Sequence, residues 1–187
     1  MTATRSYHHG NLKPALIAAG LEILESEGLD RLSLRACAER VGVSHTAPKN
    51  HFGNVTGLLT AIAAEGQTCL HAAMTDGLNP DAPRAERRRA AAEGYVAFAR
   101  AHPALFELMW ARGRVDFSDP VLAAAMSASF AVLRDVAGAS GDPAAASVRD
   151  WCTVHGFALL SLQGVFDKDG MRHLGVQDIL PDPPSGA

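Results

Sequence analysis

Apolar residues recur at three- and four-residue spacing from the start of the chain, in the stripe Leu12, Leu16, Ala19 and Ile23, and this period predicts a helix. Asn11 stands where it can cap that helix. Pro14 falls in its first turn, where a backbone N–H has no helical partner, and Gly28 stops it. Ser33 heads a short helix from Leu34 to about Val41, broken by Gly42. Ser44 is expected to cap a third helix reaching Phe52, ended by Gly53 and Asn54, and a longer helix follows from about Thr56 to Met74. Residues 76–83 are rich in Gly, Pro, Asp and Asn and read as a linker. Four more helical stretches follow, roughly 85–101, 103–111, 120–139 and 144–166, with Pro103, Pro120 and Pro143 in first-turn positions behind polar breakers. The proline-rich end, 177–187, is expected to be a disordered tail. No alternating run suggests a strand and no internal repeat emerges, so the fold class is all-α.

Composition agrees with a folded chain. Of 187 residues, 48% are hydrophobic and 20% charged, too apolar for disorder. The net charge of −3 excludes a general basic nucleic-acid glue. Residues 1–60 are the least acidic part: Arg5, Lys13, Arg31, Arg35, Arg40 and Lys49 stand against Glu22, Glu25, Glu27, Asp30 and Glu39, with His8, His9, His45 and His51 besides. Cys37, Cys69 and Cys152 follow neither disulfide nor zinc spacing, and His8–His9 has no carboxylate or cysteine nearby, so no metal site is expected. No leader or membrane-length apolar run is visible, which leads us to expect a cytoplasmic protein away from membranes. A phosphate-cradling glycine loop, a nucleophile elbow and a zinc-protease motif are all missing. An enzyme is therefore not expected, and neither is a cofactor.

The segment from Leu32 to Ser44 carries the strongest signal. Two short helices that cross steeply need a small residue at the contact, here Ala38, and a turn residue tolerant of positive φ, here Gly42. Val43 is the apolar plug beneath, and the serines at the helix starts leave backbone N–H groups for a phosphate. Residues 7–62 resemble the DNA-binding domain of the TetR-like transcription regulators. The opening Tyr7, His8, His9, Gly10, Asn11, Leu12 and the later Trp151, His155, Gly156 resemble a subgroup whose C-terminal domain is named for Trp, His and Gly. That resemblance implies a three-helix helix-turn-helix domain over 1–62, joined by a long helix to a helical ligand-binding and dimerisation domain over 63–176. It implies DNA contacts from Ser33, Arg35, Ser44, His45, Thr46, Lys49, Asn50 and His51. His8 and His9 read either as an arm toward DNA or as an ordinary terminus. The chain departs from the subgroup pattern at Lys49, where a Tyr is usual, and at Val55, where a Lys is usual. Both positions usually touch phosphate. Lys49 can still do so by its charge, and Val55 cannot.

In the second half the resemblance implies an apolar effector pocket, with Phe98, Phe106, Met109, Trp110, Met126, Phe130, Trp151 and His155 as candidates. Any of them could instead fill the bundle core. Trp151 and His155 lie four apart, on one helix face. The small-residue stretch 123–129 suits close helix approach, and the family pairs its last two long helices with a second copy. The expected function is therefore a sequence-specific regulator, a homodimer on a double-stranded DNA operator, released by a small apolar effector. The competing reading is a helical small-molecule-binding or interaction protein with weakened or lost operator binding.

Overall fold

The computed structural model describes residues 12–137, 142–167 and 170–180. Among these residues nine α-helices follow one another: α1 Leu12–Glu27, α2 Leu34–Val41, α3 Ala47–Phe52, α4 Val55–Thr75, α5 Arg84–Ala101, α6 Pro103–Met109, α7 Pro120–Val136, α8 Pro143–Leu162 and α9 Val176–Ile179. One-turn 3₁₀ helices at Leu29–Arg31 and Val165–Asp167 follow α1 and α8. No strand occurs among the described residues.

Local chemistry explains most of these limits. Ser33 Oγ accepts the Ala36 N–H at 3.1 Å, Asn54 Oδ1 the Gly57 N–H at 2.9 Å and Asp142 Oδ1 the Ala144 N–H at 2.9 Å. Asp119 accepts from both Val121 and Leu122, and Pro120 and Pro143 each follow a capping aspartate. Gly42 ends α2 in the left-handed region at φ 78°, which lets its N–H reach the Ala38 and Glu39 carbonyls.

Several limits differ from the sequence expectation. Ser44 does not cap α3: the helix starts at Ala47 after a turn in which Ser44 Oγ meets Thr46 Oγ1 at 3.2 Å. The stretch expected to run to residue 111 ends at Met109, and Trp110 begins an irregular crossing to Asp119. The last long helix stops at Leu162, where Gly164 takes φ 68°. Order continues past residue 177, because α9 is helical and anchored by Val176 and Leu180, 3% and 9% exposed. Asn11, His8, His9 and residues 181–187 lie outside the described residues.

One apolar core runs through the described chain. Helix α4 joins its two ends, packing against α1 and α3 as well as α5, α6 and α7 and burying Leu58, Ile62, Leu70 and Met74. Each such side chain contributes about 1.5–3 kcal/mol when fully withdrawn from water. Two glycines set how closely α4 is gripped. A Cβ at Gly94 would lie 2.1 Å from the Ala73 carbonyl oxygen, and one at Gly66 would lie 2.9 Å from Leu105 Cδ1 and 2.8 Å from Met109 Sδ. Bare backbone therefore lets α5 and α6 close on α4. Across the bundle, Arg88 of α5 makes a two-pronged ion pair with Asp150 of α8, at 2.6 and 2.5 Å, with both side chains under a tenth exposed.

Candidate nucleic-acid interface and apolar cavity

Helix α3 has six residues, too few to hold a helix alone, and its orientation comes from two anchors. Pro48 is buried, and Phe52, four residues on, packs against the core. With those two turned inward, His45, Thr46, Lys49 and Asn50 are exposed, together with Ser44 in the turn before. His51 is also exposed but lines a crevice with Lys13, Glu65 and Asp119, away from the other candidates. Ser33 is half-buried and occupied as the α2 cap. Arg35 Nε donates to Glu39 Oε1 at 2.9 Å, and this pairing holds the Glu39 carboxyl below its ordinary range.

The charge pattern of this domain was not evident from composition. Arg40 reaches Glu27 at 2.6 Å and Glu22 at 3.4 Å, and Arg31 lies 4.0 Å from Glu27. Among the described residues up to 62, Lys13 and Lys49 are the cations without a carboxylate partner. Lys49 is therefore free to meet a phosphate, whereas the arginines would have to exchange a carboxylate for one. Val55, 44% exposed at the first turn of α4, brings no charge.

The second half holds a partly open cavity of about 390 Å³. Gln67, Leu70 and Met74 line it from α4, Tyr95 from α5, and Trp110 and Phe117 from the crossing between α6 and α7. Met126, Ser129, Phe130 and Leu133 of α7 and Trp151 of α8 close it. Of the residues expected there, Trp110, Met126, Phe130 and Trp151 meet on this wall. Phe98, Phe106 and Met109 do not: they are 5%, 0% and 0% exposed within the core, and the Phe98 ring lies tilted against that of His102, with centres 5.2 Å apart. Helical spacing shows that a residue faces inward, but not whether it meets a neighbour or a void.

His155 stands behind the wall rather than on it. Its ring centre lies 4.9 Å from that of Trp110 and 5.8 Å from that of Trp151, and Nδ1 is 2.8 Å from the Tyr95 hydroxyl. Desolvation lowers the His155 pKa and raises that of Tyr95, so both are neutral near pH 7. The Tyr95 hydroxyl then pairs with Nδ1 and accepts from the Trp151 indole. Gln67, Tyr95, Ser127 and Ser129 are the polar groups that the sequence reading missed. A glutamine in register with Leu70 and Met74, on the buried face of α4, was the available signal.

The lowered His155 pKa has a sign that can be tested. Below its ordinary 6.5 the unfolded chain takes up a proton that the folded chain resists. Stability from the neutral ring is complete above that pH and declines as pH falls below it toward the folded value. His155→Gln keeps an acceptor for Tyr95 and should flatten the fall in Tm between pH 7 and 5. An unchanged slope in the variant would assign the acid sensitivity to other groups.

Comparisons with known proteins follow this geometry. Residues 88–178 match the family described as tetracyclin repressor-like, C-terminal domain. No curated protein matches the chain by sequence. A protein of unknown function from Rhodococcus sp. RHA1 is 31% identical, with 95% of this chain and 93% of that chain covered and a TM-score of 0.78. BioQ with its double-stranded DNA operator is 22% identical, covering 82% of this chain and 87% of that one, with a TM-score of 0.57. The TetR family protein ActR of Streptomyces coelicolor, in complex with (S)-DNPA, is 23% identical over 82% of this chain and 73% of that one, with a TM-score of 0.59. The last two likenesses are of fold.

Proposed function

We propose that the chain is a DNA-binding transcription regulator: residues 88–178 match the tetracyclin repressor-like C-terminal domain family, and the fold is similar to that of TetR-family regulators. In this reading it is a cytoplasmic, non-enzymatic repressor of the Trp-His-Gly subgroup. It acts as a homodimer through α7 and α8, binds an operator through α3 and the start of α2, and leaves it when a small apolar effector enters the cavity. The observation that carries the reading is α3 itself, where Pro48 and Phe52 are turned inward and His45, Thr46, Lys49 and Asn50 outward. A short helix presented in this way fits the major groove, and two copies supply the two half-sites of a palindrome. No helix of the described residues is long and apolar enough to cross a membrane.

The second reading, a ligand-binding protein with weakened operator affinity, is favoured by one specific observation. Arg31, Arg35 and Arg40 are held by carboxylates of their own domain, and Val55 adds no cation. Gel-shift titration on the chain's own upstream DNA at several salt concentrations separates the two. Lys49→Ala should weaken operator and random DNA alike and lower the salt slope by about one. Val55→Lys should tighten binding and steepen the slope. Wild-type binding no stronger to the upstream DNA than to random DNA would favour the second reading. Sedimentation of the same samples at micromolar concentration should give a dimer, and a monomer counts against the paired half-sites.

A further inference from the structure

Two residues of the cavity wall carry a buried side-chain N–H that has no acceptor. Trp110 Nε1 and Gln67 Nε2 are both buried and unpartnered, and both residues line the same space. Gln67 is 1% exposed. Besides the exposed Ser127, which also lines the space, two polar groups around them are already engaged. Ser129 Oγ donates to the Gln67 backbone carbonyl at 3.0 Å, and the Tyr95 hydroxyl is held between Trp151 and His155. The two tryptophans thus differ: the Trp151 N–H has a partner and the Trp110 N–H does not. An indole nitrogen can only donate, so what meets Trp110 must be an acceptor. Buried donors without acceptors are rare and unfavourable in folded proteins, and an acceptor on a ligand would relieve them.

The rest of the wall restricts that ligand. No Lys, Arg, Asp or Glu lines the cavity, so an ion entering it would lose its hydration and find no counter-charge. The indole centres of Trp110 and Trp151 lie 5.7 Å apart, and the Phe130 ring stands 6.2 Å from Trp151, which surrounds the space with aromatic surface. At about 390 Å³ the cavity sits at the small end of the range of about 300–1,000 Å³ for small-molecule sites.

We propose that this cavity selects an uncharged molecule of one or two rings bearing a carbonyl-type oxygen, as in a ketone, ester or lactone, which accepts from Trp110 Nε1–H and Gln67 Nε2–H. This rests on the effector reading above and adds the ligand chemistry to it. A hydrocarbon of the same shape fills the space but leaves both donors unmatched. A carboxylate matches them but carries a charge that nothing on the wall compensates.

Calorimetric titration of the full-length chain at pH 7 with three probes of matched shape tests this: acetylnaphthalene, ethylnaphthalene and naphthoate, each β-substituted. The ketone should bind at least about tenfold more tightly than either of the others. Trp110→Phe and Gln67→Leu keep the apolar volume and should each erode the ketone's advantage, while ethylnaphthalene affinity stays within about twofold. Equal wild-type affinity for ketone and hydrocarbon overturns the acceptor requirement and leaves the effector reading standing. Tightest binding of naphthoate overturns neutrality. Failure of all three to bind removes the effector reading and this proposal with it.

Discussion

Asp150→Ala is expected to destabilise the chain by about 3–5 kcal/mol, a large share of the total stability of a domain this size. Both Asp150 oxygens accept from Arg88, at 2.6 and 2.5 Å, and the two side chains are 6% and 8% exposed. Removing the carboxylate takes both of these hydrogen bonds from a guanidinium charge in a place that water barely reaches. The desolvation of that charge, more than the loss of the pair's attraction, sets the size of the effect. The joint replacement Arg88→Met with Asp150→Leu should therefore recover most of the loss, since it removes the buried charge together with its partner. Urea unfolding of the three proteins, compared by midpoint and slope, reads this directly. A loss below about 1 kcal/mol in Asp150→Ala would mean that the pair is solvated in practice. The consequence for function lies in position. Arg88 is on α5 and Asp150 precedes Trp151 on α8, so the pair sets how these two helices stand around the cavity.

Gly57→Ala is expected to weaken DNA binding by more than about tenfold while leaving ligand binding in the cavity unchanged. A Cβ at Gly57 would lie 2.0 Å from the Phe52 carbonyl oxygen, so that carbonyl must move. The same oxygen accepts the Asn54 N–H at 2.8 Å, and Asn54 caps α4 through the Gly57 N–H. The whole α3–α4 turn therefore shifts together. Overpacking of this kind typically costs about 1–3 kcal/mol. Stability is the lesser effect here. Phe52 is one of only two inward anchors of α3, and displacing its backbone tilts the face that carries Thr46, Lys49 and Asn50. Groove recognition tolerates little misalignment. Gel shifts beside calorimetry with the ketone probe separate the two sites, and unchanged DNA affinity would show that α3 does not follow the turn.

Most of the helix plan could be read from the sequence because its causes are local. Ser33 caps α2, Gly42 ends it, and Asp119–Pro120 and Asp142–Pro143 open α7 and α8, each through groups a few residues apart. Ala38 was legible as the crossing residue for the same reason, and it is fully buried. Ser44 misled because serine serves turns as readily as caps, and here its hydroxyl pairs with Thr46. The short α9 was missed since its stability comes from burial of Val176 and Leu180, with nothing in the local pattern to announce it.

The sequence by itself determined the order of the helices and the register of their apolar faces, since periodicity and capping act within a few residues. The tertiary structure decided which inward residues meet a void and which meet each other. Trp110 and Met126 reach the cavity, while Phe106 and Met109, equally apolar, fill the core beside α4. It also decided the electrostatics. Arg40 finds Glu27 from thirteen residues away, and Arg88 finds Asp150 from sixty-two. The orphaned donors of Gln67 and Trp110 belong to the same class of fact. An unmet hydrogen bond is defined by what every neighbouring segment fails to supply, and only a packed chain brings those neighbours together.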